Sequence, residues 1–134
     1  MTNTLRTLGE GFSFLEGPRW HEGRLFASDF HTNRVLAFAE SGECETICEV
    51  AGQPSGLGFL PDGSMLVVSM IDRQVLRFAH GRLEPYADLS ALAPFHINDM
   101  LVDEAGRAYV GNFGWNPLAD PHIQSTCLVL VDRK

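Results

Sequence analysis

Residues 16–38 read EGPRWHEGRLFASDFHTNRVLAF, and residues 55–78 read SGLGFLPDGSMLVVSMIDRQVLRF, with turn residues and apolar residues in the same order. A third copy, NDMLVDEAGRAYVGNFGW, occupies residues 98–115, so the copies start 39 and 43 residues apart. The turn glycines of the three copies align, at Gly23, Gly63 and Gly106. A repeat of about 40 residues built from short strands is typical of a β-propeller blade.

The runs between turn signals are short and rich in Val, Leu and Phe, which favours strands over helices. Six strand-length runs are bounded by turns that contain Gly, Pro or Asp: LFASDF, NRVLAF, SMLVVSM, QVLRF, RAYVGNF and CLVLVD. Helical periodicity is hard to find anywhere in the chain. The sequence therefore predicts an all-β propeller with blades of four strands, about three of them, the third lacking its outermost strand.

We expect one partial propeller domain over residues 1–134, with blades that begin near Phe14, Gln53 and Phe95. Residues 1–12 have strand character but no repeat of their own, so we expect them to close the ring as a strand of the last blade. Propellers normally close with about 4 to 8 blades. The chain is therefore expected to be either the front half of a longer protein or a half-ring that pairs with a second copy through its open edges.

Composition and charge exclude several classes of partner. The chain has 134 residues, is 45% hydrophobic, and carries 17 acidic against 10 basic residues, a formal charge of -7. No basic patch is available to attract nucleic acid or an anionic membrane surface. No run of about 18 apolar residues is present, and the N-terminus lacks the apolar run of a signal peptide. We expect a cytoplasmic protein that binds neither nucleic acid nor membrane.

The three cysteines, Cys44, Cys48 and Cys127, are an odd number in a chain for which we expect no export signal, which argues against a disulfide framework. If Cys44 and Cys48 share one strand, their Cα atoms lie about four rises of roughly 3.4 Å apart, beyond the roughly 7 Å that a disulfide allows. We expect free thiols, with these two cysteines on one face of one strand.

The aligned positions Glu16, Ser55 and Asn98 start the inner strand of each blade, and inner strands converge on the axis of a propeller. Glu16 lies in an otherwise apolar segment, where an isolated carboxylate is costly unless it has a partner. A carboxylate and an amide oxygen are ligands for a hard cation such as Ca²⁺ or Mg²⁺, and no Cys/His cluster has zinc spacing. A salt bridge or a hydrogen bond to the backbone is the alternative role for Glu16.

The motifs FLEGPRW, PSGLGFLPDG and HINDMLVDEAGRAYVGNFG resemble the senescence marker protein, gluconolactonase and luciferin-regenerating-enzyme family. The resemblance runs from Glu10 to Lys134 but covers only the first half of the family's length. It implies a six-bladed propeller, here truncated to about three blades, that binds one divalent metal at its axis and hydrolyses lactones. Ca²⁺ is the first choice of ion, with Mn²⁺, Mg²⁺ and Zn²⁺ as alternatives.

The resemblance also assigns roles to individual residues. Glu16 corresponds to the family's N-terminal metal ligand, and Asn98 to an Asn that contacts substrate or metal-bound water. Asp99 is expected to brace the loop and hold Asn98. His96 and Trp115 are candidate walls of the substrate pocket. His96 replaces an Arg that contacts a sugar acid in many members, and imidazole lacks the five-donor fork of Arg, which argues against a polyhydroxy acid lactone.

The family's other two metal ligands, one of them the expected general base, fall in blades that have no counterpart here. Since Ca²⁺ takes about 6 to 8 oxygen ligands, we expect this chain alone to bind metal poorly and to catalyse little. The implied reaction is metal-assisted hydrolysis of a small-molecule lactone. A related ester or phosphotriester hydrolase, and a non-catalytic propeller that binds a sugar or a protein, are the alternatives.

The remaining prominent residues have structural interpretations. Asp29 is expected to cap a turn or to form a hydrogen bond between blades. Trp20 and the many Phe residues alternate with polar neighbours, so we assign them to the core. Four histidines lie beside turn residues without metal spacing and are expected in surface loops: His21, His31, His80 and His122.

Overall fold

The fold is given by a computed structural model, which describes residues 1–133. These residues form eleven strands in three antiparallel sheets, and their one helical element is a 3-10 turn at Phe30–Thr32. The first sheet contains β1 (Leu15–His21), β2 (Arg24–Asp29), β3 (Arg34–Phe38) and β4 (Cys44–Glu49). The second contains β5 (Pro54–Phe59), β6 (Met65–Ser69), β7 (Gln74–Ala79) and β8 (Arg82–Asp88). The third contains β9 (Ile97–Val102), β10 (Ala108–Asn112) and β11 (Val129–Val131).

Each sheet is a meander in which neighbours along the chain pair with one another, as expected for a propeller blade. The first two strands of each blade are joined by a tight turn around one of the aligned glycines. Gly23, Gly63 and Gly106 have φ angles of 79°, 82° and 80°, in the left-handed region that residues with a Cβ rarely adopt. The all-β partial propeller is confirmed.

The three sheets pack face to face, and the second lies between the other two. Val110 and Met100 of the third sheet pack on Leu66 and Val68 of the second, in one buried apolar cluster. The cluster between the first two sheets is built from residues of both: Phe26, Val35, Ala37, Leu57, Met65 and Val67. Burying each large side chain of this kind contributes about 1.5 to 3 kcal/mol, so the stacking of blades accounts for much of the stability.

Within residues 1–133, no further blade covers the outer faces of the two end sheets. On the third sheet, Leu101, Tyr109 and Leu130 lie side by side across β9, β10 and β11, and the two leucines are 57% and 51% exposed. On the first sheet, Trp20 pairs with Leu25 on the open face and is 59% exposed. The assignment of Trp20 to the core is therefore wrong, because alternation along a strand tells which face a residue occupies and not whether that face is covered. Among the phenylalanines, Phe14 is also exposed.

Residues 1–14 form no strand in this structure, and residues 6–12 lie along the open face of the first sheet. The ring of Phe12 meets that of Phe38 edge to face, with centroids 5.2 Å apart, and Leu8 joins the same cluster. Arg6 donates a hydrogen bond to the carbonyl oxygen of Glu40 at 2.6 Å. A further blade would pack on this same face, so the role of residues 1–12 in closing a ring stays a prediction.

Two expectations about side-chain placement are corrected by the strand register. Cys44 pairs with Phe38 and Cys48 with Val35, but a bulge in the ladder between them puts the two thiols on opposite faces of β4. Both are free, and burial raises the pKa of Cys48 to about 12, so that thiol is uncharged. His21 is not in a loop: it ends β1 and stacks on Phe59 with ring centroids 3.7 Å apart.

The other three histidines, His31, His80 and His122, are exposed as expected. Within residues 1–133, no helix has the length and hydropathy that a membrane span requires.

Candidate metal and substrate site at the propeller axis

The register of the three sheets makes Glu16, Ser55 and Asn98 structurally equivalent. The residue before each one pairs with the last residue of its blade's second strand: Leu15 with Asp29, Pro54 with Ser69, and Ile97 with Asn112. The repeat alignment read from the sequence is therefore confirmed at the positions that matter for the site.

A β-bulge interrupts the ladder at the same place in each inner strand. In β1 the pairing shifts by one residue between Glu16 and Arg19, in β5 between Pro54 and Leu57, and in β9 between Ile97 and Met100. Bulges of this kind re-aim side chains and are common beside active sites. Here they give Glu16, Ser55 and Asn98 the same local geometry at the start of the inner strand.

Glycines allow the backbones of neighbouring inner strands to come into direct contact. Gly17 has φ 62°, and a Cβ at this position would lie 2.8 Å from the carbonyl oxygen of Ser55. A Cβ at Gly56 would overlap the backbone nitrogen of Met100. Ser28 links the first two blades nearby, since its hydroxyl donates to the Ser55 carbonyl oxygen at 2.7 Å. The bulges of the three blades are thus packed around one axis.

Two oxygens at this axis are buried without a hydrogen-bond partner among the described residues: Oε1 of Glu16 and Oδ1 of Asn98. Asn98 Oδ1 lies against Gly111 of β10, where a Cβ would be 2.8 Å away. A buried polar group without a partner costs about 1–3 kcal/mol, so such atoms are rare unless a ligand satisfies them. A carboxylate oxygen and an amide oxygen fit a hard divalent cation.

The two oxygens do not make a complete cation site. Among residues 1–133, no group of three or more His, Cys, Asp or Glu side chains is placed to hold a metal ion. Ca²⁺ needs about 6 to 8 oxygens and Mg²⁺ about 6, so two side chains leave most of the coordination sphere to water, substrate or other protein segments.

Asp99 contacts the first blade. Its Oδ1 accepts hydrogen bonds from Arg19 Nη2 at 3.0 Å and from the Met100 backbone N–H at 2.8 Å. It forms no hydrogen bond with the Asn98 side chain. Arg19 was not among the predicted site residues, although its place two residues after the bulge glycine in EGPRW is a signal that it starts the regular part of the strand.

His96 and Trp115 lie in the segments before β9 and after β10. The His96 imidazole stacks on the Phe95 ring with centroids 3.9 Å apart. The backbone carbonyl oxygen of His96 accepts a hydrogen bond from the Phe113 N–H at 2.9 Å. Burial, together with the nearby Arg73 charge, lowers the pKa of His96, which favours the neutral ring. Trp115 Nε1 donates to the Asp120 carbonyl oxygen at 3.0 Å within the inserted loop. Their role as pocket walls stays a prediction.

Asp29 is a fully buried carboxylate that ties the chain before β1 to the first blade. Its Oδ1 accepts from the Ser13 N–H at 2.9 Å, the Ser13 hydroxyl at 2.5 Å and the Phe14 N–H at 3.0 Å. Its Oδ2 accepts from Thr32 at 2.7 Å and pairs with Arg34 at 3.3 Å. Burial alone would raise the pKa of Asp29, but the hydrogen bonds outweigh it and hold the pKa well below its usual range. The expected turn-capping role is wrong in one respect: the carboxylate accepts no backbone N–H of the Phe30–Thr32 turn and instead holds the segment before β1.

A cavity of about 490 Å³ lies at the opposite ends of the first two blades. It is lined by residues at or beside the hairpin turns at that end of the two blades, including His21, Gly63 and His80. A smaller one, about 230 Å³, lies on the open face of the first sheet, and Glu16 is its one charged residue among apolar ones. We place the candidate site by the two unpartnered oxygens, because the larger cavity contains neither of them.

A family model described as the SMP-30/Gluconolactonase/LRE-like region matches residues 14–133. A search of curated proteins finds no match. Among solved structures, a gluconolactonase from Xanthomonas campestris superposes with a TM-score of 0.69 at 21% identity, over 81% of this chain and 38% of that one. A putative gluconolactonase gives a TM-score of 0.68 at 18% identity, over 93% and 47%. A luciferin-regenerating enzyme gives 0.57 at 13% identity, over 74% and 37%. The chain therefore spans less than half the length of these structures.

Proposed function

The chain belongs to the SMP-30/gluconolactonase/LRE-like family, and on that premise we propose that it supplies part of the metal and substrate site of a divalent-metal-dependent lactone hydrolase. The observation that carries the proposal is the pair of buried, unpartnered oxygens on Glu16 and Asn98. A propeller that serves only as a scaffold has no need of two uncompensated polar atoms at its axis. A cation would satisfy both.

The superposed gluconolactonases are more than twice as long as the part of them that this chain matches. We assign the remaining oxygen ligands and the general base to blades that this chain does not contain. Two side-chain ligands hold a hard cation weakly, since such ions take about six or more oxygens. The chain alone is therefore expected to bind Ca²⁺ or Mn²⁺ in the millimolar range and to hydrolyse little lactone.

In the complete site, a bound cation would polarise the lactone carbonyl oxygen. Glu16 provides the negative charge that holds an ion at the axis. Asn98 would offer its unpartnered amide oxygen to the same ion, and its amide N–H groups could then donate to a substrate oxygen or to water. His96, with its lowered pKa and its ring stacked on Phe95, offers an uncharged flat surface, which suits a neutral lactone better than a charged sugar acid.

The test is a Mn²⁺ titration of the ¹⁵N-labelled chain, with paramagnetic line broadening as the readout. We expect the first signals to broaden to be the Asn98 side-chain amide and the backbone amides of Gly17 and Asp99. Glu16→Gln removes the ligand charge and should abolish this pattern. Competition by Ca²⁺ should restore the signals in the unsubstituted chain.

Glu22→Gln is the matched control, because Glu22 is an exposed glutamate in the turn after β1 with 83% of its side chain accessible. It should leave the broadening unchanged. Broadening centred on exposed carboxylates, or a pattern that survives in Glu16→Gln, contradicts the proposal.

A further inference from the structure

The Arg19 side chain crosses from the first blade to the third and passes over the second. Its Nη2 donates to Asp99 Oδ1 at 3.0 Å and also to the carbonyl oxygen of Met100. Its Nη1 donates to the Pro18 carbonyl oxygen at 2.8 Å. The Arg19 side chain is only 25% exposed, whereas that of Asp99 is 69% exposed. One guanidinium thus holds two groups of β9 and one of β1.

This bridge joins the two bulges that carry the unpartnered oxygens. Arg19 is the residue at which β1 resumes its regular pairing after Glu16, and Asp99 is the bulge residue directly after Asn98. β1 and β9 belong to different sheets, and β5 lies between them. The distance between Glu16 and Asn98 therefore depends on packing through the second blade and on this one direct link.

The bridge also determines the charge near the axis. A guanidinium is always ionised, and an unpaired one beside a cation site would repel the ion. Asp99 pairs with that charge at 3.0 Å and neutralises it. An isolated surface pair contributes little, but this pair is fixed by further hydrogen bonds at both ends, to Pro18 and to Met100.

We propose that Arg19 and Asp99 are a positioning pair that holds Glu16 and Asn98 at the separation a divalent cation requires and cancels the guanidinium charge beside it. The inference rests on the proposed function, since it presupposes a cation at those two oxygens. Neither residue is a ligand in this arrangement. Asp99 acts on the first blade through Arg19, and Arg19 acts on Asn98 through the backbone of β9.

The experiment compares Mn²⁺ affinity in the chain and in four variants, by the same line broadening. Asp99→Asn leaves Arg19 uncompensated and should weaken binding about tenfold. Arg19→Met breaks the bridge but also removes the positive charge, so it should weaken binding only about threefold. The double variant should resemble Arg19→Met, because Asp99 has no function without its partner. Arg19→Lys should be intermediate, since a single ammonium cannot reproduce the fork that holds Asp99 and Met100 together.

Asp103→Asn is the matched control: it breaks the Arg107–Asp103 pair of 2.7 Å in the turn after β9, away from the axis. It should leave Mn²⁺ affinity unchanged. Urea unfolding without metal is recorded for every variant, because a purely structural role lowers stability while affinity stays constant. Equal affinity in the original chain, Asp99→Asn and Arg19→Met overturns the inference but not the proposed function. No broadening at Asn98 in the original chain overturns both.

Discussion

The second and third blades start from the same repeat but bury their strands differently. In β6 all five residues, Met65–Ser69, are buried, whereas in β10 burial alternates and Tyr109 and Gly111 are only half-buried. The second blade has a neighbour on each face, and the third has a neighbour on one face only. The comparison shows that burial along a propeller strand is decided by the blades beside it.

The largest expected effect comes from truncating equivalent faces of these two blades. Leu66 is fully buried between the second and third blades, and Leu66→Ala should lower the free energy of unfolding by about 3 kcal/mol, through lost burial and the cavity left behind. Leu101→Ala, on the open face of the third blade, should cost less than about 1 kcal/mol. Urea unfolding followed by circular dichroism measures both. Equal losses would mean that the outer face of the third blade is covered in solution.

The polar residues that end the second strand of each blade extend the comparison. Asp29, Ser69 and Asn112 occupy the same register position and are all buried, but only Asp29 is ionisable. Its folded pKa lies below that of the unfolded chain, so its contribution is complete above the unfolded value, near 3.8, and is lost as the pH falls toward the folded pKa. Asp29→Asn should therefore cost about 2 kcal/mol at pH 7 and progressively less below pH 4. Urea unfolding at pH 7, 5 and 3 measures this.

Asp103→Asn is the control for that pH series, because Asp103 is also held at a lowered pKa, by hydrogen bonds from the Arg107 backbone and side chain, but lies in an exposed turn. Its substitution should lower stability much less than Asp29→Asn at pH 7, because water screens its charge, and this smaller loss should also shrink as the pH falls. If Asp29→Asn lowers the free energy of unfolding equally at pH 3 and at pH 7, the charge of the Asp29 carboxylate does not stabilise the first blade.

The sequence was sufficient to predict the features that the repeat itself encodes. Aligned glycines and apolar strands define the register, and the register alone makes Glu16, Ser55 and Asn98 equivalent. The features that could not be predicted depend on contacts between blades, or on β-bulges that no residue type in the sequence indicates. Trp20 has the alternation of a core residue but lies on a face that no blade covers. The bulge in the β3–β4 ladder, which separates Cys44 from Cys48, has no residue that marks it.

Arg19 was missed for a related physical reason. The residues beside Arg19 in the strand do not predict the hydrogen-bond partners of its long side chain. These partners, Asp99 and Met100, belong to a blade about 80 residues further along the chain. Only stacking of three blades around one axis brings them together. By contrast, a hydrogen-bonding role for Asp29 could be predicted locally, since its partners lie within 16 residues of it, although they belong to the segment before β1 and not to the turn backbone.

Substitution of Leu130 is expected to change the free energy of unfolding least, and it tests the open faces of the end sheets most directly. We propose that the chain self-associates through the apolar row of Leu101, Tyr109 and Leu130 on its third sheet and the face around Trp20 on its first. Exposed apolar faces at the ends of a stack of sheets favour such pairing, and two copies can close a ring about a twofold axis. Leu130→Glu places a charge at the β11 end of that row and should weaken association at least tenfold, measured by sedimentation velocity over a range of concentrations.

Leu118→Glu is the matched control, since Leu118 is 96% exposed in the inserted loop and lies outside the row. It adds the same charge and removes the same apolar side chain, so any general effect of net charge on solubility appears in both variants. Because Leu130 is half-exposed in the single chain, its substitution should hardly change the unfolding free energy at low concentration. A chain that sediments as a monomer at every concentration, or that loses association equally in both variants, would mean that the open faces of the end blades are tolerated in water.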